Sequence, residues 1–255
     1  MSEIRSTHAF TVRSYEIGPS QRVERGGHFL RWFQEAAYAN SEWLDYDLDR
    51  YREMGVFWVL HEIDLQLVAR PAFNERVDVT TWIAEMQRIK AWRQYEARDA
   101  AGRPLARCNA TWVMIDPQSQ RATRIPEIMF EEFTPNHEYI LTARDWSPVD
   151  GDVHTFELPV GYFDEDEMAH VNHAVYLDWI EESARRAALA AHIAPPRFTR
   201  HRLRYHNAAF RGDRLRIDSA FAPINGEQHW QHTVWRGNTR LVSANGVSTE
   251  NGTAT

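Results

Sequence analysis

Cysteine is almost missing from this sequence. Cys108 is the single one in 255 residues, so no disulfide framework can form within the chain, which agrees with a reducing compartment. Lysine is as scarce: Lys90 stands alone, and arginine supplies the other basic side chains. No stretch approaches the roughly 18 apolar residues that a membrane-spanning helix needs. The first eleven residues hold no apolar run of the signal-peptide kind. A cytoplasmic protein without membrane insertion is therefore expected. Positive charge is not in excess either. The formal net charge of -7 leaves no global case for nucleic-acid binding. What is abundant is aromatic surface, ten tryptophans and twelve phenylalanines, suited to a large core or an apolar ligand tunnel. The length permits one domain or two.

Self-similarity decides between them. Setting Tyr15 against Tyr162 also pairs Leu30 with Leu177, Trp32 with Trp179, Glu35 with Glu182 and Ala37 with Ala184, without a gap. A slightly different offset pairs Phe73 with Phe210. Each copy repeats one order of elements. In the first, residues 9–17 alternate as a strand does and residues 27–44 read as a helix. Strands follow at 58–68, 76–86, 90–98 and 105–115, with a turn at Asp99-Ala100-Ala101-Gly102. In the second, a strand at 154–163 precedes a helix at 172–191 and strands at 200–206, 214–222, 228–236 and 240–248. Asn225-Gly226 and Gly237-Asn238 are turn signals. The proline-bearing segment 116–151 reads as a linker. The pattern predicts an α+β fold of two domains, 1–135 and 136–255. Val171, Val175 and Trp179, flanked by Tyr176, Ile180 and Ala184, give the second helix a broad apolar face for its sheet to wrap.

The stretch Tyr162-Phe163-Asp164-Glu165-Asp166-Glu167-Met168-Ala169-His170-Val171-Asn172-His173, followed by Tyr176 and Trp179-Ile180-Glu181-Glu182, resembles the signature of hot-dog thioesterases. Arg13-Ser14-Tyr15-Glu16-Ile17-Gly18, Thr111-Trp112-Val113-Met114-Ile115 and Arg124-Ile125-Pro126-Glu127 resemble the N-terminal half of the acyl-ACP thioesterases. The resemblance covers residues 9–215. It implies two tandem hot-dog domains, each a long helix wrapped by an antiparallel sheet, with the active site in the second. It implies hydrolysis of fatty acyl thioesters, on acyl carrier protein or coenzyme A, to free fatty acid and thiol in fatty-acid biosynthesis. Neither a metal nor an organic cofactor is implied. The alternative is a non-catalytic acyl-chain or carrier-binding protein, and a third reading is a hydroxyacyl dehydratase.

Thioester hydrolysis needs an activated water or nucleophile and a donor for the developing oxyanion. The expected catalytic set is Asp166 as base or nucleophile, His170 as its polar partner and Asn172 orienting the loop, with helix N-terminal amides polarising the carbonyl. The plain structural readings stand beside it. Asn172 suits an N-cap, residues 164–167 suit a solvated acidic turn, and at least one of Glu181 and Glu182 belongs in solvent. The repeat sets Pro19, Val23 and Arg25 against Asp166, His170 and Asn172, so the first copy is expected to lack the polar set. Two departures from the plant-type pattern are visible. Met168 stands where those enzymes carry Asn, and Ala208 or Ala209 where they carry a catalytic Glu. Tyr176, Arg204 and His206 are the expected substrate-binding residues. Cys108 sits on an alternating strand and is expected to be buried. Residues 183–217 hold nine arginines against one acid, Asp213, a patch able to steer an acidic carrier or the phosphates of coenzyme A. A monomer or homodimer is expected.

Overall fold

The structure is a computed structural model describing residues 5–249. Residues 1–4 and 250–255, the outer ends of the two expected domains, lie outside the described residues. The chain divides into two compact units, one of residues 1–24 and 28–142, the other of 25–27 and 143–255.

The first unit comprises strand β1 (Ser6–Thr11), helix α1 (Gly26–Trp43, its first two residues grouping with the second unit), the short helix α2 (Leu48–Glu53), strands β2 (Phe57–Leu67), β3 (Arg76–Gln87), β4 (Lys90–Asp99), β5 (Pro104–Asp116) and β6 (Arg121–Ala122), and helix α3 (Glu127–Glu132). Its sheet runs β1-β3-β4-β5-β2, with β6 beside β5, and every pairing is antiparallel. The second unit comprises β7 (His154–Pro159), a 3-10 turn (Tyr162–Asp164), α4 (His173–Ala190), β8 (Arg197–Tyr205), β9 (Arg214–Ile224), β10 (Glu227–Arg236) and β11 (Thr239–Thr249). Its order is β7-β9-β10-β11-β8, again antiparallel. Apart from β6, the strands of the two units follow the same order.

In each unit the long helix lies on the sheet. Phe33 of α1 stacks on Tyr95 of β4, centroids 5.0 Å apart. Ser183 of α4 meets Ser219 of β9 at 2.8 Å, and Ser219 meets His232 Nδ1 of β10 at 2.8 Å. Tyr176, Leu177, Ile180, Ala184, Ala187 and Ala188 line the buried face of α4. Glu181 is buried with them, facing His201 Nε2 at 3.0 Å, whereas Glu182 is exposed and takes the Arg186 guanidinium at 2.6 Å. Cys108 is buried on β5.

Three elements differ from the sequence reading. The opening strand of each copy is shorter, ending at Thr11 and Pro159. The cause is local: Glu16 accepts the Arg13 N–H at 2.6 Å, and Asp164 accepts the Gly161 N–H at 2.6 Å, so a carboxylate-capped turn competes with the ladder. The segment read as a linker contains β6 and α3, and Ile125 and Met129 are buried. Pro126 sits at the N-cap of α3, where its missing N–H costs nothing. Helix α2 carried no periodic signal; Asp47 caps it through the Arg50 N–H.

The repeat register also shifts between loop and helix. Helices α1 and α4 keep the register read from the identities, Arg25 and Asn172 each preceding the first helical residue. The bridges Ile17↔Val23 and Glu165↔Val171 place the loops one residue off it. Gly18 therefore matches Asp166, and Arg22 matches His170, in place of Pro19 and Val23. The turn bonds agree: Gly18 N to Arg22 O is 2.9 Å where Asp166 N to His170 O is 3.0 Å. Gln21 and Ala169 hold the same left-handed backbone, φ 60 and 59. The first copy has one extra residue between loop and helix, and a sequence pairing without gaps cannot register it.

Candidate active site

The acidic stretch is a closed loop and not a solvated run. Its ends pair at Glu165 and Val171, and Ala169 N donates to Asp166 O at 3.0 Å to make the inner turn. The loop is tied on three sides. Asn172 N donates to Asp164 O at 2.9 Å, Val171 N to Ala209 O at 2.9 Å, and Arg211 N to Glu165 Oε1 at 2.8 Å. A left-handed alanine costs roughly 1 kcal/mol, and these ties hold it in place.

Asp166 faces inward from this loop, its side chain 16% exposed. Oδ1 accepts the Met168 N–H at 3.0 Å and lies 3.5 Å from His170 Nδ1. Burial raises the carboxyl above its ordinary 3.8; His170 and the Met168 amide oppose that rise, and Glu167 adds to it. A half-buried carboxylate with a higher proton affinity is a better base than a free one.

Asn172 is the N-cap of α4, its Oδ1 accepting the Ala174 N–H at 2.9 Å. The helix-terminal amides expected to polarise a carbonyl are largely committed. Asn172 N goes to Asp164 O, Ala174 N to the cap, and Val175 N to Asn172 O at 3.0 Å. Tyr176 is buried, 2% exposed, and its hydroxyl accepts the Ala209 N–H at 2.8 Å. Burial pushes its phenol up to about 12, against the Ala209 hydrogen bond. It thus pins residues 208–211 to α4, beside the loop. Arg204 is exposed on β8, opposite Ser243 of β11. His206, just beyond β8, is exposed with Nε2 2.9 Å from Ser243 Oγ. The structure thus gathers Asp166, His170, Asn172 and Tyr176 about one loop, and sets Arg204 and His206 along the β8–β11 pair.

Sequence reading missed Arg236. Its Nη1 donates to Asp213 Oδ2 at 2.8 Å and to Ala208 O at 3.3 Å, so a β10 side chain braces the segment that holds Val171. Nothing in the local sequence of β10 marks it. Met168 supplies a backbone donor to Asp166 but no side-chain amide. Among the described residues no group of three or more His, Cys, Asp or Glu side chains could hold a metal ion.

The first copy fills the same place differently. Ser20 N donates to Glu24 Oε1 at 3.2 Å, as Met168 N does to Asp166. A Cβ on Gly18 would stand 2.4 Å from the Glu24 Cδ. A carboxylate therefore closes both turns, reached from opposite ends of the loop, and the absence of Asp166 from copy one does not by itself argue for catalysis. At the position of His170 copy one has Arg22, which donates to Arg70 O at 2.7 Å, where copy two sets an imidazole 3.5 Å from the carboxylate.

Residues 4–133 match the acyl-ACP thioesterase N-terminal domain and residues 150–249 the C-terminal domain. A chloroplastic acyl-(acyl-carrier-protein) hydrolase of Cuphea viscosissima is 26% identical over 193 residues, 70% of this chain and 46% of that protein. A chloroplastic palmitoyl-acyl carrier protein thioesterase of Arabidopsis thaliana is 27% identical over 190 residues, 69% of this chain and 46% of that protein. The chain thus spans about half the length of these relatives. The solved 12:0-ACP thioesterase of Umbellularia californica superposes with a TM-score of 0.78 at 18% identity, covering 97% of this chain and 95% of that one. An acyl-ACP thioesterase of Bacteroides thetaiotaomicron gives 0.77 at 18%, covering 97% and 99%. These likenesses establish the α+β tandem hot-dog fold. With a matching family model over each half, the chain belongs to the acyl-ACP thioesterase family.

Proposed function

We propose that this protein hydrolyses fatty acyl thioesters, releasing free fatty acid and thiol, with Asp166 as the base or nucleophile. The observation that carries the reading is the inward-facing, proton-avid Asp166 carboxylate 3.5 Å from His170. Its Oδ1 is held by the Met168 amide, which leaves Oδ2 to address a water or the carbonyl carbon. His170, with 31% of its side chain exposed, can donate to the developing oxyanion while remaining against the carboxylate. Asn172 sets the start of α4, and Tyr176 with Arg236 fixes residues 208–211 against the loop. No step calls for a metal or organic cofactor.

The substrate carrier is an acyl carrier protein or coenzyme A. The arginines of 183–217 support either one, although Arg186 and Arg216 are partly neutralised by Glu182 at 2.6 Å and Asp218 at 3.2 Å. Fatty-acid biosynthesis in the cytoplasm, by a monomer or homodimer, completes the reading. The second reading, a non-catalytic acyl-binding protein, draws on Met168 and Ala208 at positions where the plant-type pattern has reactive side chains.

A thiol-release assay across acyl-ACP and acyl-CoA chain lengths separates the two. Turnover in the wild type that falls by about 100-fold or more in Asp166→Asn is the expected result. Binding without thiol release over the whole panel supports the second reading, and undiminished turnover in the variant removes Asp166 from the chemistry.

A further inference from the structure

We propose that the core of the first unit contains a binding site for the carboxylate of a long aliphatic ligand, formed by Arg93 and Asn40. Arg93 projects from the inner face of β4, in line with buried Ala91, Tyr95 and Ala97, and is only 5% exposed. Its hydrogen bonds go to two neutral oxygens, Asn40 Oδ1 of α1 at 2.7 Å and Thr81 Oγ1 of β3 at 3.3 Å. Among the described residues no carboxylate pairs with it. The Asn40 Nδ2, also buried, has no hydrogen-bond partner. A buried guanidinium without a counter-charge, beside an unmatched amide donor, is costly and uncommon.

The second unit shows that the fold does not require this. In the common topology Asn40, Thr81 and Arg93 correspond to Ala187, Ser219 and Trp230. There Ala184, Ala187, Ala188, Phe198 and Trp230 form an apolar cluster. Beside it Ser219 is hydrogen-bonded to Ser183 and His232, and the Trp230 indole N–H donates to Ser248 Oγ at 2.9 Å, so the same helix-on-sheet position holds an indole with its donor satisfied in one copy and an uncompensated cation in the other. The guanidinium fork and the Asn40 amide present donors matched to a planar carboxylate. The surrounding side chains include Phe33 and Ala36 and the phenols Tyr51 and Tyr95, all buried, so a carboxylate carried on a hydrocarbon chain is the anion that suits the place. Two sources share that chemistry: a free fatty acid, or the distal carboxyl of a dicarboxylic acyl chain.

The test is titration of the full chain with decanoate and with decanol, followed by calorimetry and thermal shift, which does not depend on hydrolysis. Decanoate is expected to bind at least about tenfold more tightly than decanol, and Arg93→Met to bind both alike while folding at least as stably as wild type. Asn40→Asp, which supplies an internal counter-charge, should raise the melting temperature and abolish the preference for decanoate. Equal binding of the two probes by wild type overturns the site, and so does a decanoate preference retained in both variants. Should the protein also turn over thioesters, inhibition by decanoate that Arg93→Met abolishes assigns the free acid. Faster release from a sebacic monothioester than from a decanoyl thioester, again lost in Arg93→Met, assigns the distal carboxyl.

Discussion

At Asp166, burial and His170 pull the carboxyl in opposite directions, and burial prevails. A carboxyl whose folded pKa lies above its unfolded value adds stability below the unfolded 3.8 and loses it as pH rises through the folded value. At neutral pH the ionised group is therefore a burden on the fold. Asp166→Asn should be more stable than wild type at pH 7, with the difference vanishing towards pH 3, as denaturant melts at both pH values would show. The same variant should lose thioester turnover, and the acid limb of the wild-type kcat/KM profile should fall above 3.8. Asn172 behaves differently, because its oxygen caps α4. Asn172→Ala should cost about 1 kcal/mol in chemical denaturation and Asn172→Asp very little. The cap was legible in the residue type. The shift at Asp166 was not, since it depends on how residues 165–171 fold over the carboxylate.

At the scale of elements, periodicity predicted both long helices and all eight long strands within a few residues, because each buries one face. It overran where a single side chain ends an element, as Glu16 and Asp164 do, and it could not see α2 and α3, which are too short to show a period. The interior of the second unit supports a further expectation. His232 of β10 is buried and held by Ser219, and burial lowers its imidazole from 6.5 to about 3. A depressed pKa gives stability that is complete above 6.5 and drains away as pH falls toward 3. In that window each pH unit removes up to about 1.4 kcal/mol. His232→Phe should flatten the acid side of a pH–stability curve measured by urea unfolding, and a slope equal to wild type would contradict the assignment.

At the scale of the whole molecule, net charge and local charge have opposite signs. The chain carries -7 overall, yet nine arginines crowd residues 183–217. If a negatively charged carrier is steered to them, kcat/KM on acyl-ACP should drop severalfold between low and physiological salt, with kcat nearly unchanged. Stopped-flow or steady-state assays at several ionic strengths would measure it; a salt-independent kcat/KM would remove the patch from recognition. The sequence by itself determined the duplication, the α+β order of each copy and the loop that bears Asp166, because helical and strand periods and turn residues are local properties. Only the tertiary structure decided the one-residue shift between loop and helix, the Glu24 carboxylate standing in for Asp166 in copy one, the commitment of the α4 amides, and the uncompensated Arg93. Each of these depends on which atoms packing brings within a few ångströms, and that distance is set by residues far apart in the chain.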